Sequence, residues 1–165
     1  MLVLASNSPR RKQLLSLTGW DFVVLPAPVD ESVLPGEQPQ AYVRRLAEAK
    51  ARAVISAARQ HLYEPVSRLA GSDRRFLVIA ADTAVVDGTE ILGKPADEQE
   101  AEAMLRSLRG RSHQVYTGLA VLEAAPSSPA DGRLLTELCV SEVVMRAYSD
   151  AEIMAYVASG DPLDK

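Results

Sequence analysis

The chain has 165 residues, of which 47% are hydrophobic, and this composition is ordinary for a globular protein with a real core. Its length favours one domain, or two lobes around one cleft. The formal net charge of −4 argues against a general nucleic-acid binder, because the phosphate backbone requires a basic surface, so any basic function must be local.

The first twenty residues predict a strand, a tight turn and a helix. Residues 2–5 (Leu-Val-Leu-Ala) are an apolar run long enough for one buried strand, and residues 6–8 (Ser-Asn-Ser) interrupt it. Ser8 is a favourable N-cap and Pro9 suits the first helical position, so residues 10–18 are expected to be helical. This geometry directs free backbone N–H groups and the positive end of the helix dipole at an anion.

Four side chains of this turn suit a phosphate group. Ser6 and Ser8 supply hydroxyl donors, and the planar guanidinium groups of Arg10 and Arg11 match phosphate oxygens. The alternative is an ordinary capped surface helix whose two arginines only keep it solvated. The combination of all four residues favours the phosphate site.

A second short strand is predicted at residues 21–25, followed by a loop at 26–39 that contains four prolines. The loop carries Asp30 and Glu31, and adjacent carboxylates in a rigid loop suit a hard cation such as Mg²⁺. Solvation of two surface carboxylates is the alternative.

Residues 40–60 predict a long helix, because apolar residues recur along it at helical spacing. Lys50 lies on that apolar stripe, seven residues after Val43 and four before Val54. A lysine on an inward helix face can extend its amine along its stem to water, or it can reach into a cleft and meet an anion. In the second case, the charge of Lys50 is expected to be compensated by the phosphates of a ligand.

The apolar run at residues 76–81 is typical of a strand buried on both faces, and it follows a polar, irregular surface loop at 61–75. The predicted strand ends at Asp82 and Thr83. Ligands of open α/β sheets bind beyond the carboxyl ends of such strands, and a carboxylate there is costly unless it meets a metal, a cation or hydrogen-bond donors. Asp82 is therefore the best single catalytic candidate, with a helix or turn cap as the alternative.

Residues 85–91 predict a hairpin with its turn at Asp-Gly. The hairpin is expected to bring Lys94 beside Asp82 as a second candidate, whereas the alternative is an exposed lysine at a strand end. The remaining segments are expected to be scaffold: a capped helix at 97–108, strand-rich segments at 112–123 and 134–148 with a loop at 126–133, and a last helix that starts at a Ser-x-x-Glu capping box and runs from 149 to about 159.

Six short stretches resemble, in the same order, the signature motifs of the Maf family of nucleoside triphosphate pyrophosphatases. They are residues 6–11, 29–31, 49–51, 81–83, 93–95 and 162–165 (Ser-Asn-Ser-Pro-Arg-Arg, Val-Asp-Glu, Ala-Lys-Ala, Ala-Asp-Thr, Gly-Lys-Pro and Pro-Leu-Asp-Lys). The resemblance spans the whole chain. It implies an α/β fold similar to the inosine triphosphate pyrophosphatases, with an elongated mixed β-sheet, flanking helices and two lobes around a deep cleft.

The resemblance also implies an activity, which is hydrolysis of a nucleoside triphosphate to the monophosphate and pyrophosphate. The implied cofactor is a divalent metal cation, Mg²⁺ or Mn²⁺, held by Glu31 and Asp82. Asp82 is then the general base, and Lys94 is the second catalytic residue. Substrate binding is expected from Ser6, Ser8, Arg10, Arg11, Lys50 and Thr83.

Two positions make the chain similar to the dTTP/UTP branch of the family rather than the 7-methyl-GTP branch. They are Arg10 and Thr83, which are expected to face the base or its neighbouring groups. Family members continue beyond the position of Lys165 with a segment similar to Gly-Ala-Tyr-Gly-Ile-Gln-Gly, whose glutamine is tied to base selection. The resemblance thus predicts a single domain over residues 1–165 that lacks this segment.

The expected partner is a small nucleoside triphosphate, with no nucleic acid, no membrane and a possible homodimer. The one cysteine, Cys139, excludes an internal disulfide and fits a reducing cytoplasm, and His61 and His113 lack the spacing of a zinc site. A nucleotide-binding regulatory protein of the cell-division-inhibiting type, with little or no turnover, is the alternative function. A phosphosugar-processing enzyme is a third, because the first turn indicates only phosphate.

Overall fold

A computed structural model describes residues 1–26, 28–60, 75–124 and 132–164. Within these ranges, the chain forms one six-stranded β-sheet and four α-helices. The strands are β1 (Leu2–Leu4), β2 (Phe22–Val24), β3 (Phe76–Asp87), β4 (Glu90–Leu92), β5 (Ser112–Ala124) and β6 (Arg133–Val144), and the helices are α1 (Pro9–Ser16), α2 (Pro39–Arg59), α3 (Glu98–Leu108) and α4 (Asp150–Ala158). The predicted α/β class is confirmed.

The sheet is mixed, as predicted. Its strand order is β2-β1-β3-β5-β6, and β4 pairs with β3 outside this path. β1 runs parallel to both β2 and β3, with Leu2 opposite Leu77 and Leu4 opposite Ile79, whereas β4 runs antiparallel to β3. The short β1 thus lies between β2 and β3, and it ends shortly before the turn at residues 6–8.

The chain divides into two compact units. The first comprises Met1–Thr83 and Thr117–Cys139, and the second comprises Ala84–Tyr116 and Val140–Lys165. Strands β3, β5 and β6 each contribute residues to both units. The deep cleft that the family resemblance implies stays a prediction.

The core of the first unit forms where the apolar stripe of α2 covers one face of the sheet. Val43, Leu46 and Ala47 of the helix have no exposed surface, and the predicted helix is confirmed. The sheet residues of this core share the α2 side of their strands; they are Val3, Ala5, Phe76, Val78, Ala80, Ala120, Leu122 and Ala124.

The prediction that residues 76–81 are buried on both sheet faces is wrong. Leu77 is 39% exposed, while Phe76 and Val78 on either side of it are buried, because α2 packs against only one face of β3. The predicted strand end at Asp82 is also wrong. β3 continues to Asp87, since its last three residues pair with β4 across the predicted hairpin, whose turn residue Gly88 has a φ of 63°.

One glycine of β5 allows the strand to approach α2 closely. A Cβ atom at Gly118 would lie 2.4 Å from the carbonyl oxygen of Val43 and 2.9 Å from the amide nitrogen of Arg44. Both are backbone atoms of the helix, which cannot rotate away as a side chain can. Glycine at this position therefore sets how closely the helix and the sheet pack.

The second unit has its own core between α3 and α4, formed by Ala101, Tyr148, Ile153 and Val157. The predicted capping box is confirmed, because the Ser149 and Glu152 side chains each accept a hydrogen bond from the other residue's backbone N–H. β6 ends at Val144, four residues earlier than predicted. The reason is that Tyr148 turns into this core, where its hydroxyl donates to the carbonyl of Leu105 at 2.6 Å.

Some predictions fall outside the described residues. They are the loop at 61–75, of which only Arg75 is described, and the loop at 126–133, of which the last residue already belongs to β6. Near the end of the chain, Asp161–Asp164 form a 3₁₀ turn. Among the described helices, none has both the length and the apolarity that spanning a bilayer requires.

Candidate functional site

The turn after β1 has the predicted structure, but two of its backbone N–H groups already donate to hydroxyl groups of the turn itself. Ser8 is the N-cap of α1, and Pro9 begins the helix. The Ser8 Oγ accepts from the Arg11 backbone N–H at 3.4 Å, and the Ser6 Oγ accepts from the Ser8 N–H at 3.2 Å. Two amides that were expected to point at an anion are therefore bonded within the turn.

Arg11 reaches from α1 to the strand next to β1. The pairing of β1 with β3 ends where the Ala5 N–H donates to the Ile79 carbonyl. The carbonyl of Ala81, two residues further along β3, accepts instead from the Arg11 Nη1 at 2.8 Å, and Arg11 Nη2 donates to the Thr83 Oγ1 at 3.1 Å. The Arg11 side chain thus takes the hydrogen-bonding position that β1 leaves open.

Two further predicted site residues, Arg10 and Lys94, lie on the surface. Arg10 is exposed, and its side chain forms no hydrogen bond or ion pair with another residue that the structure describes. Lys94 is exposed and belongs to the second unit, so its predicted closeness to Asp82 stays a prediction.

The centre of the candidate site is an ammonium group between two carboxylates. Lys50 Nζ lies 2.6 Å from the Asp82 Oδ1 and 2.6 Å from the Glu31 Oε1. The side chains of Lys50 and Asp82 are only 14% and 10% exposed, whereas that of Glu31 is 55% exposed. The charge of Lys50 is therefore compensated by two carboxylates of the protein, and the expectation that the phosphates of a ligand compensate it is corrected.

The strand alternation of β3 separates Asp82 from Thr83. Asp82 shares the α2 side of the strand with Val78 and Ala80, and Thr83 points to the opposite side. There the Thr83 Oγ1 lies 3.2 Å from the Thr117 Oγ1 of β5, in a hydrogen bond that either hydroxyl can donate. Sequence reasoning missed Thr117, because only the sheet pairing brings it to Thr83.

Burial controls the proton affinity of Asp82. Loss of solvent raises the pKa of the Asp82 carboxyl above its ordinary value, and the hydrogen bond and charge of Lys50 oppose that rise. Burial also lowers the pKa of the Arg11 guanidinium, while the negative charges of Asp82 and Glu31 favour its protonated form. A buried carboxylate with a raised pKa is a suitable proton acceptor near neutral pH.

This balance predicts the effect of removing the ammonium. In Lys50→Met, the pKa of Asp82 is expected to rise further, because the hydrogen bond and charge that lower it are gone while burial and Glu31 remain. The measurement is the pH titration of the Asp82 carboxyl carbon by NMR. Lys12→Met, which removes an exposed lysine of α1, serves as the control. An unchanged or lower pKa of Asp82 in Lys50→Met would show that the Lys50 ammonium does not stabilise the Asp82 carboxylate.

Sequence reasoning also missed two residues of α2 that hold the Glu31 loop. The Tyr42 Oη donates to the carbonyl of Glu31 at 3.0 Å, and the Arg45 Nη2 donates to the carbonyl of Ser32 at 2.9 Å. Their spacing of three residues places both on one side of the helix. That spacing was visible in the sequence, but its target, a loop about ten residues earlier in the chain, was not.

The donor set suits a hard divalent cation bound together with its substrate. Among the described residues, no three or more His, Cys, Asp or Glu side chains come together, so a site made of protein ligands alone is not formed there. Mg²⁺ is commonly held by one or two carboxylates, with water and phosphate oxygens as its other ligands. Glu31 and Asp82, joined through one ammonium, fit that pattern.

A cavity of about 470 Å³ in the first unit lies elsewhere, around Trp20, Phe76 and Leu77. Its polar lining includes the ion pair of Arg75 with Glu123, at 2.8 Å. It contains none of the candidate residues, so the charged cluster, and not the size of a cavity, identifies the candidate site.

The chain is similar to known proteins along its whole length. The family model described as "Maf-like protein" matches residues 1–165. The chain is 46% identical over 164 residues to a protein of Anaeromyxobacter dehalogenans named dTTP/UTP pyrophosphatase, with 99% of this chain and 73% of the relative covered. It is 44% identical over 166 residues to a protein of Myxococcus xanthus with the same name, with coverage of 100% and 72%.

A third relative, from Desulfitobacterium hafniense, also carries that name and is 41% identical over 165 residues, with coverage of 100% and 68%. Among solved structures, a HAM1 protein from Coxiella burnetii aligns with a TM-score of 0.47 at 20% identity, over 87% of this chain and 71% of that one. A score this low adds nothing to the assignment, which depends on the family model and on the relatives' sequences. On these grounds, the chain belongs to the Maf family.

Proposed function

We propose that this chain is a nucleoside triphosphate pyrophosphatase that hydrolyses dTTP and UTP to the monophosphate and pyrophosphate. The observation that carries the proposal is the Lys50 ammonium at 2.6 Å from both the Asp82 and the Glu31 carboxylates. These three residues come from three separate motifs of a family whose relatives are named dTTP/UTP pyrophosphatases.

Glu31 and Asp82 would hold a divalent cation, Mg²⁺ or Mn²⁺, through their carboxylate oxygens. The cation would neutralise negative charge on the phosphate oxygens. The Lys50 ammonium, which lies between these two carboxylates, would also contact a phosphate oxygen of a substrate bound beside them. Lys50 is then a fixed positive charge beside the bond that breaks.

Asp82 accepts the proton from the water molecule that attacks the α-phosphorus. The new bond joins the water oxygen to that phosphorus, and the bond from the α-phosphorus to the bridging oxygen of the β-phosphate breaks, which releases pyrophosphate. The raised pKa of Asp82 makes it a stronger base than an exposed aspartate, and Lys50 keeps it from being protonated too readily.

The remaining site residues bind the substrate in this proposal. Arg11 and Ser6 lie where β1 ends, and Ser8 caps the helix beside them. Arg10 and Thr83 contact the base or its neighbouring groups, and Lys94 supplies a further positive charge to the reaction. The substrate is a small anion, so its binding depends on these local positive charges, because the chain as a whole has a formal net charge of −4. The proposed reaction takes place in the cytoplasm.

The test is a substrate panel of dTTP, UTP, dCTP, ATP and 7-methyl-GTP with Mg²⁺ or Mn²⁺. Pyrophosphate and an equal amount of nucleoside monophosphate are expected from dTTP and UTP, with little from the others and none in EDTA. Separate assays of pyrophosphate and orthophosphate identify the bond that breaks. Tight binding of dTTP without turnover would favour a nucleotide-binding regulatory protein, and release of orthophosphate as the first product would contradict the proposed reaction.

A further inference from the structure

We propose that Tyr42 and Arg45 are positioning residues that fix the main chain at Glu31 and thereby hold its carboxylate beside Asp82. The inference depends on the proposed function in one respect, which is the use of Glu31 as a metal ligand. It concerns residues that lie outside the motifs through which the chain resembles its family.

Glu31 needs such support because its own side chain is poorly fixed. It is 55% exposed and belongs to the loop between β2 and α2. Its carboxylate forms an ion pair with Lys50, whose ammonium also bonds Asp82. Exposed ion pairs restrain a long side chain only weakly. The position of the carboxylate must therefore be set mainly by the backbone that carries it.

Two side chains of α2 hold that backbone at consecutive residues. Tyr42 bonds the carbonyl of Glu31 at 3.0 Å, and Arg45 bonds the carbonyl of Ser32 at 2.9 Å. The Arg45 guanidinium carbon also lies 5.6 Å from the centre of the Tyr42 ring, within cation–π range. The two residues thus support each other as well as the loop. Lys50, on the same helix, bonds the Glu31 carboxylate itself.

Arg45 is itself fixed by a bidentate ion pair. Its Nε and Nη2 donate to the two carboxylate oxygens of Glu37 at 2.6 and 2.7 Å. The Glu37 side chain is only 7% exposed, and one of its oxygens also accepts from the Leu34 N–H at 3.1 Å. The hydrogen bond from Arg45 lowers the pKa of Glu37, so this carboxylate stays ionised. Arg45 therefore links the main chain at Ser32 to the Glu37 side chain, and this ion pair restrains the loop between them.

Tyr42 keeps the proton that this arrangement requires. Burial raises the pKa of its hydroxyl, and the negative charges of Asp82 and Glu31 raise it further. The hydroxyl donates its proton in the hydrogen bond to the Glu31 carbonyl.

The test is Tyr42→Phe, which removes one hydroxyl and keeps the ring. Mn²⁺ binding to the nucleotide-free chain, followed by electron paramagnetic resonance, is expected to weaken about 10-fold, because loss of an outer partner misplaces a metal ligand. The matched control is Tyr148→Phe, which also removes a hydroxyl bonded to a backbone carbonyl, that of Leu105, in the second unit. The control should lose a similar amount of stability and keep the wild-type affinity for Mn²⁺.

A double-mutant cycle with Glu31→Gln separates positioning from general stability. Glu31→Gln is expected to lower kcat/KM for dTTP much less in the Tyr42→Phe background than in the wild type. The reason is that a carboxylate that is already misplaced contributes less to kcat/KM. Wild-type affinity for Mn²⁺ in Tyr42→Phe, or independent effects in the cycle, would overturn the inference, and so would a wild-type chain that binds no Mn²⁺. If the wild type instead binds Mn²⁺ but releases no pyrophosphate, the proposed function fails, while the Mn²⁺ comparison still decides the role of Tyr42.

Discussion

Asp82→Asn is expected to lower kcat for dTTP about 10²–10⁴-fold, the usual contribution of a general base. The amide keeps the shape of the carboxylate, and it cannot accept the proton of the attacking water. The fold should survive, because burial already disfavours the charged form of Asp82 and the amide oxygen can still accept from Lys50. Steady-state kinetics at saturating metal, together with a thermal melt of each variant, measure both effects.

The matched control for this variant lies on the same strand. Asp87→Asn removes a carboxylate five residues further along β3, where it pairs with Arg111 at 2.8 Å in the second unit. This variant should keep kcat within about a factor of two, because Asp87 is not a candidate site residue. It should also stay folded, since a surface ion pair contributes at most about 1 kcal/mol to stability. Near-normal turnover of Asp82→Asn would remove Asp82 from the mechanism.

Gly118→Ala is expected to lower the free energy of unfolding by about 3 kcal/mol, the upper end of what overpacking usually costs. The added Cβ would lie 2.4 Å from the carbonyl oxygen of Val43 and 2.5 Å from its carbonyl carbon, so β5 and α2 must move apart. That movement opens the packing of α2 on the sheet, where the fully buried Val43 and Ala120 lie. Urea denaturation of the wild type and the variant measures the change.

Gly93→Ala is the control for the glycine substitution itself. A Cβ at Gly93 meets no heavy atom within 4 Å, so this variant should change the free energy of unfolding by no more than about 0.5 kcal/mol. If the two variants unfold at the same urea concentration, the close approach of β5 to α2 does not limit stability.

Features set by neighbouring residues were predicted well from the sequence. The N-cap at Ser8, the capping box at Ser149 and the buried stripe of α2 each depend on residues within one or two helical turns. The end of β3 was not predicted, because its continuation to Asp87 depends on pairing with β4. The exposure of Leu77 was missed for a similar reason, since the sequence does not state which faces of a sheet are covered.

The sequence predicted the main charged residues of the candidate site, including Glu31 and Asp82 as joint metal ligands, but not how Lys50 connects them. Lys50, Asp82 and Glu31 were each singled out, but not the shared ammonium that joins them. The role of Tyr42 and Arg45 at the Glu31 loop could not be assigned, because there they bond backbone carbonyls, which leave no trace in a side-chain pattern. Contacts of this kind appear only once the loop and the helix are placed in space.

Helix α2 contributes both to the core and to the candidate site, and this affects how the folded structure opens locally. One side of this helix buries the core of the first unit, and the same helix bonds the Glu31 loop and Asp82. Local fluctuations that expose the site by detaching α2 must therefore break the core as well. In native-state hydrogen exchange, the central amides of α2 should exchange with the slowest, globally opening group of the first unit. Detachment of α2 and loss of the contacts that Lys50 makes are therefore expected to occur together.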